Sequence, residues 1–117
     1  MQLTLLKSKL HGAIVTGADL HYEGSITIAP ELCRLARLQE FEKVEIYNTH
    51  NGARFATYVI RGSVRGQIAV NGAAARLVQP GDRVIIAAYA GFTPVEAEQH
   101  RPAIVLLDDR NRGRMKS

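Results

Sequence analysis

The chain has no tryptophan, and its aromatics are four tyrosines and three phenylalanines. That is too few to build the stacking platform on which single-stranded nucleic acids usually lie. Its one cysteine, Cys33, cannot form an intrachain disulfide, which fits a reducing compartment. The surrounding PELCRLARL reads as a short amphipathic helix opened by Pro30, so a packed thiol is expected there and not a nucleophile. Lys7 and Lys9 interrupt the leucine-rich opening, and no apolar run reaches the length of a signal peptide or membrane span. A soluble, cytoplasmic protein with no membrane partner is the expectation. The four histidines, at 11, 21, 50 and 100, show no ligand spacing, and no CxxC or HExxH accompanies them, so nothing supports a metal. A glycine-rich phosphate loop is also missing.

A basic pI near 9.6 raises the question of nucleic acid. Yet Arg110, Arg112, Arg114 and Lys116 are four of the 15 basic residues, and the other 11 balance the 11 acidic ones. The body is neutral and the charge belongs to residues 110–117, expected to be a disordered, solvated tail.

At 117 residues the chain predicts one domain, 1–117. Short strands separated by turn signals dominate: QLTLL, GAIVT, SITIA, KVEIYN, ARFATYVI, QIAV, RVIIAAYA and AIVLLD. Helical spacing over about residues 30–38, a single turn at AAARL and PVEAEQH supply the brief helices. Asn51-Gly52 marks a hairpin between KVEIYN and ARFATYVI. Six or seven strands with few helices indicate a mainly β, small closed barrel, a shape that removes exposed edges.

Four stretches carry candidate chemistry, each with a plainer reading. In KSKLH, Lys9 and His11 share one face of a strand, either a solvated edge or a cationic wall for an anion. In ARFATYVI, strict alternation puts Arg54 and Tyr58 on one face and Phe55, Thr57 and Val59 on the other. An arginine fork there suits a planar carboxylate, though an ordinary half-exposed strand fits too. From Asn71, NGAAARL is a turn into a helix or a snug pocket wall with backbone donors. HYEGSITI sets Gly24-Ser25 before a strand, where such pairs are commonly punctuation.

Taken in order, KSKLH, ADLHYEGS, NGARFATY and VNGAAA resemble the pyruvoyl-dependent aspartate 1-decarboxylase family over most of the chain. The resemblance implies a six-stranded double-psi β-barrel and a homotetramer with active sites at subunit interfaces. It also implies a proenzyme that cuts itself between Gly24 and Ser25 into a β chain, 1–24, and an α chain, 25–117. Ser25 Oγ would attack the Gly24 carbonyl, where a glycine leaves the carbonyl unshielded and tolerates strain. Thr57 would support the oxyanion, and elimination would turn Ser25 into the pyruvoyl group. L-Aspartate would then form a Schiff base with that ketone and lose its α-carboxylate, giving β-alanine for pantothenate synthesis without pyridoxal phosphate or metal. Arg54 would hold a substrate carboxylate, Tyr58 would donate the proton, and Thr57 would also line the site. Lys9, His11, Tyr22, Asn71, Gly72, Ala73 and Ala74 correspond to other positions around it. A maturation helper protein is a partner that the resemblance leaves open. The chain departs from some relatives at Tyr47, where they carry tryptophan, and at Arg76, where they carry histidine. Its RGSVRGQ loop is also one residue shorter.

Alternation sets Thr57 opposite Arg54 and Tyr58, so either the strand bulges or Thr57 serves from another side. Two other functions stay open at this level: a small barrel using its basic tail on nucleic acid, and a pyruvoyl decarboxylase for another amino acid. The cationic Arg54, Lys9 and His11 favour an acidic substrate over a basic one.

Overall fold

A computed structural model of the chain describes residues 1–116, and Ser117 lies outside the described residues. Among the described residues nine strands form: β1 (Leu3–Ile14), β2 (Gly17–Asp19), β3 (Ser25–Ile28), β4 (Lys43–Asn48), β5 (Arg54–Arg61), β6 (Ile68–Asn71), β7 (Arg83–Phe92), β8 (Ala103–Leu107) and β9 (Gly113–Met115). Helix α1 (Pro30–Ala36) follows β3, a 3-10 helix (Gly72–Leu77) follows β6, and α2 (Pro94–Gln99) follows β7. The mainly β architecture with short helices is therefore the one the turn signals predict.

QLTLL and GAIVT, expected as two strands, are one. β1 runs unbroken for 12 residues because two register shifts against β7, after Leu6 and after His11, absorb its curvature. Gly12 supplies the left-handed φ of 83° next to the second shift. Part of the basic tail is a strand where disorder was expected: Gly113–Met115 pair with Leu107–Val105 as β9. Asn111, only 3% exposed, ties it down, its amide donating to Ile14 O at 2.7 Å and Gly66 O at 2.9 Å and accepting from Ile14 N at 2.7 Å.

The strand order is β2-β6-β3-β5-β4-β7-β1-β8-β9. Among the described residues no strand pairing joins β2 to β9, so hydrogen bonds between strands do not close the sheet. Its curvature follows from connectivity. β1 and β2 stand six places apart, about 29 Å across a flat sheet, yet three peptide steps, about 11 Å at most, join Ile14 to Gly17. The sheet must curl, and the link is fixed on the way by Val15 N–H to Asp82 O (2.9 Å) and Thr16 N–H to Ile68 O (2.7 Å). Leu10, Ile26, Ile28, Ile46, Ile68 and Ile86 fill the concave side and are fully buried or nearly so.

The Asn51-Gly52 hairpin forms as expected, with Gly52 at φ 77°. It is braced by Asn48, whose amide donates to Leu77 O (3.1 Å) and to Asp82 Oδ2 (2.8 Å). The Asn48 amide and the Gln79 N–H hold the Asp82 carboxyl below its usual range. A depressed folded-state pKa means this stabilisation is present above the ordinary carboxylate pKa and lost as pH falls through the lowered one. Urea unfolding should therefore show an acid-side loss of stability that Asn48→Ala diminishes; an identical pH profile in the variant would count against this linkage.

Candidate active site

Ser25 opens β3 and is 2% exposed. Opposite it in the antiparallel β3–β6 ladder stands Asn71, whose Nδ2 donates to Ser25 Oγ at 3.1 Å and to Thr27 Oγ1 at 3.2 Å. Gly72 follows with φ 71°, and a Cβ built on it would lie 2.6 Å from Gly24 Cα and 2.8 Å from Gly24 N. Only a glycine lets this backbone lean on the residue before Ser25. Gly24 itself does not need the left-handed region. Gly24 is exposed, is not among the residues with positive φ, and has open space around a built Cβ. The left-handed residue is its spatial neighbour, Gly72.

Tyr22, 60% exposed, and Ala73 are at the surface near this point, while Ala74 packs on the core. A cleft of about 360 Å³ runs along the outer side of β3, lined by Tyr22, Thr27, Ile60, Gln67 and Asn71 among others.

The parallel β3–β5 ladder pairs Ile26 with Val59 and Thr27 with Ile60. Continued one step back, it sets Ser25 level with Tyr58, on the convex side of the sheet. The β4–β5 register runs from Lys43↔Tyr58 to Tyr47↔Arg54 without a shift, so no bulge interrupts the alternation. Thr57 accordingly sits on the inner face, opposite Val44, half-buried and away from Arg54 and Tyr58. A second step of the same register brings Thr57 level with Gly24.

Arg54 belongs to a row of cross-strand partners, His11–Ile85–Tyr47–Arg54, and the adjacent row is Lys9–Ala87–Glu45–Ala56. Paired residues share a face, so Lys9, His11, Arg54 and Tyr58 all lie on the convex side. The Arg54 guanidinium stacks 3.9 Å above the centre of the Tyr47 ring. The Tyr47 hydroxyl donates to Glu45 Oε1 (3.0 Å) and lies 2.9 Å from the Tyr89 hydroxyl. Burial, then the bonds to Tyr89 and Glu45, push the Tyr47 phenol well above its ordinary range, so it stays protonated. Thr4, Lys43, Glu45, Ala87 and Tyr89 line a neighbouring cleft of about 430 Å³.

Within one chain these residues form two groups. Ser25, Asn71, Gly72, Tyr22 and Tyr58 gather around the start of β3, whereas Lys9 and His11 are on β1, four strands away and about 19 Å along the sheet. Arg54 leans over Tyr47 of β4, on the side of β5 away from β3. Sequence reasoning missed Glu45 and Tyr89 as parts of the second group. The alternation of Ile85, Ala87 and Tyr89 in RVIIAAYA was the available signal, hidden because the segment reads as uniformly apolar. Among the described residues no three His, Cys, Asp or Glu side chains converge as a metal-ligand set, and no helix is long and apolar enough to cross a membrane.

The family model for aspartate decarboxylase matches residues 1–114. The chain belongs to the aspartate decarboxylase family. Among curated relatives, the aspartate 1-decarboxylase of Bdellovibrio bacteriovorus is 52% identical over 112 residues, covering 96% of this chain and 90% of the relative. That of Clostridium acetobutylicum is 55% identical over 112 residues, covering 95% and 88%. The one from Helicobacter pylori is 54% identical over 111 residues, covering 95% of both chains. The aspartate decarboxylase match thus includes every residue of both groups, from Lys9 to Tyr89, and β9 up to Arg114.

Proposed function

We propose that this chain cuts itself between Gly24 and Ser25 and then converts L-aspartate to β-alanine and CO2, supplying pantothenate synthesis in the cytoplasm. The carrying observation is the cradle at the cut: Ser25 Oγ held by Asn71 while the left-handed Gly72 backbone presses on Gly24. Relatives named aspartate 1-decarboxylase across nearly the whole length support the substrate.

In maturation Ser25 Oγ attacks the Gly24 carbonyl carbon. The amide C–N bond gives way to an ester as the hydroxyl proton passes to the freed amine. Because Oγ already accepts from Asn71, its own proton points elsewhere and is available to a base. Thr57, level with Gly24 on the inner side, stabilises the oxyanion; one such donor contributes about 3–4 kcal/mol. Elimination across Cα–Cβ of Ser25 then releases the 1–24 carboxylate, and water replaces the nitrogen, which leaves as ammonia. The residues present fit the resulting group: it would be small, as the buried Ser25 side chain is, with one amide donor beside it and backbone packed where a Cβ would clash.

The ketone made from Ser25 supplies an electron sink for loss of the α-carboxylate. Around it, Arg54 grips a substrate carboxylate through paired charge-assisted bonds, and Tyr58 returns a proton to carbon. Asn71, Gly72, Ala73 and Ala74 wall the site, with Tyr22 at its mouth. Lys9 adds positive charge and His11 an imidazole, and their distance from β3 supports completion of the site by a neighbouring copy in a homotetramer. The short β1–β2 link across six strand positions supports closure as a six-stranded double-psi barrel, a single domain of α and β chains after the cut.

Intact-mass measurement of purified protein tests this. It should give fragments 1–24 and 25–117, the latter lighter by one ammonia than its serine form, with CO2 released from aspartate and not from glutamate. An active preparation consisting of uncut chain would overturn it. For Arg54→Lys, loss of the paired bonds, about 1.5–3 kcal/mol, should raise KM for aspartate roughly 10- to 150-fold; an unchanged KM would remove Arg54 from the carboxylate site.

A further inference from the structure

We propose that the cleft between α1, the β5–β6 connection and the turn before β9 is a second anion site, built for the diphosphate group of a small molecule. Three arginines from distant parts of the chain, Arg34, Arg65 and Arg112, line this one cleft of about 280 Å³, with Glu31, Leu35 and Gly113. Among the described residues none of the three is in a salt bridge. Concentrating like charge without a partner is unfavourable unless something outside the chain answers it.

The nearby carboxylates, Glu31 and Asp108, answer it only in part, since neither forms an ion pair with the three. Glu31 Oε2 accepts from Gly66 N–H at 2.8 Å. Asp108 Oδ1 accepts from the N–H groups of Arg110 and Arg112, both at 2.9 Å, and these bonds hold that carboxyl below its usual range. Each acid's hydrogen bonds go to backbone, so the guanidinium groups keep their own donors and the three arginines outnumber the two acids.

The scaffold beneath them is fixed in advance. Glu31 ties α1 to Gly66, the neighbour of Arg65. Asn111, the neighbour of Arg112, ties the last turn to Gly66 and to Ile14. Gly66 has φ 75° and a built Cβ would approach Arg110 O to 3.1 Å, so the two loops touch through backbone. Gly113 lets β9 lie against α1, since a Cβ there would meet Leu35 Cδ1 at 3.1 Å and Val105 Cγ1 at 2.7 Å. One hub, Gly66, therefore sets the mutual position of all three arginines. Fixing the backbone that carries the three side chains lowers the ordering cost of binding.

Arginine forks match phosphate oxygens in pairs, and two linked phosphates offer three forks more oxygens and more negative charge than a single phosphate does. The volume falls just below the ~300–1,000 Å³ of clefts that enclose whole drug-sized ligands. Both features favour a compact group with two linked phosphates over the long stripe that a nucleic acid needs. The cleft lies beyond the Ile28 end of β3, whereas Ser25 is at its start, so the site is separate from the one around Ser25.

The test is calorimetric titration of the full, purified protein with inorganic pyrophosphate, orthophosphate and a DNA duplex. Pyrophosphate should bind at least tenfold tighter than orthophosphate. The Arg34→Gln/Arg65→Gln double variant should weaken it at least tenfold, while its ligand-free melting temperature stays at or rises above the wild-type value. Arg112→Gln, which leaves the backbone N–H to Asp108 intact, should weaken it independently. Equal affinity in wild type and variants, no heat with pyrophosphate at millimolar concentration, or tighter arginine-dependent binding of the duplex would each overturn the proposal.

Discussion

Ser25→Ala leaves the chain in one piece and abolishes CO2 release from aspartate. The variant should show a single full-length band on denaturing electrophoresis where the wild type shows two. Misfolding would not explain the loss. The removed hydroxyl makes one hydrogen bond, to Asn71 Nδ2, and that amide keeps Thr27 Oγ1 at 3.2 Å. No buried donor is orphaned, so the stability change is about 1 kcal/mol. Circular dichroism and melting should stay close to wild type while activity disappears. Decarboxylation persisting in the uncut variant would mean that Ser25 is not the source of the electron sink.

Gly72→Ala should slow self-cleavage more than tenfold. Its Cβ would lie 2.6 Å from Gly24 Cα, backbone against backbone, where no flexible side chain can yield. Either the 72–77 helix or the Gly24–Ser25 peptide must move, and both hold the attacking geometry. Adopting the left-handed φ of 71° costs a further 1–2 kcal/mol or so. Gly52→Ala separates the two effects: Gly52 also has a positive φ, 77°, but open space around a built Cβ. That variant should lose a similar increment of stability and cleave at the wild-type rate. Time courses of fragment appearance distinguish them. Equal cleavage rates in Gly72→Ala and wild type would leave the cradle without a role.

What was legible in the sequence was local. Alternation in ARFATYVI assigned Arg54, Tyr58 and Thr57 to their faces, and the uninterrupted β4–β5 register keeps them there. Asn51-Gly52 announced its hairpin because the turn residues themselves carry the needed backbone angles. The errors came where distant residues decide. RNRGRMKS looks disordered by composition, yet Asn111 binds residues 97 and 45 positions away, and no window of sequence displays that. β1 read as two strands because the bulge at Gly12 breaks the alternation that a pattern search needs. The left-handed angle beside the cut is at Gly72, a neighbour of Gly24 only in space. The Tyr47–Tyr89 pair spans two strands and has no motif at all.

The long first strand gives the cut a particular character. β1 lies between β7 and β8, hydrogen-bonded to both, and β2 adds a third seam to β6. All three partners are downstream of residue 24. Severing the peptide bond there leaves the short piece woven into the middle of the other, so the two would part only when the whole sheet melts. The nicked protein is one thermodynamic body, and its unfolding would become a two-molecule reaction whose midpoint rises with concentration.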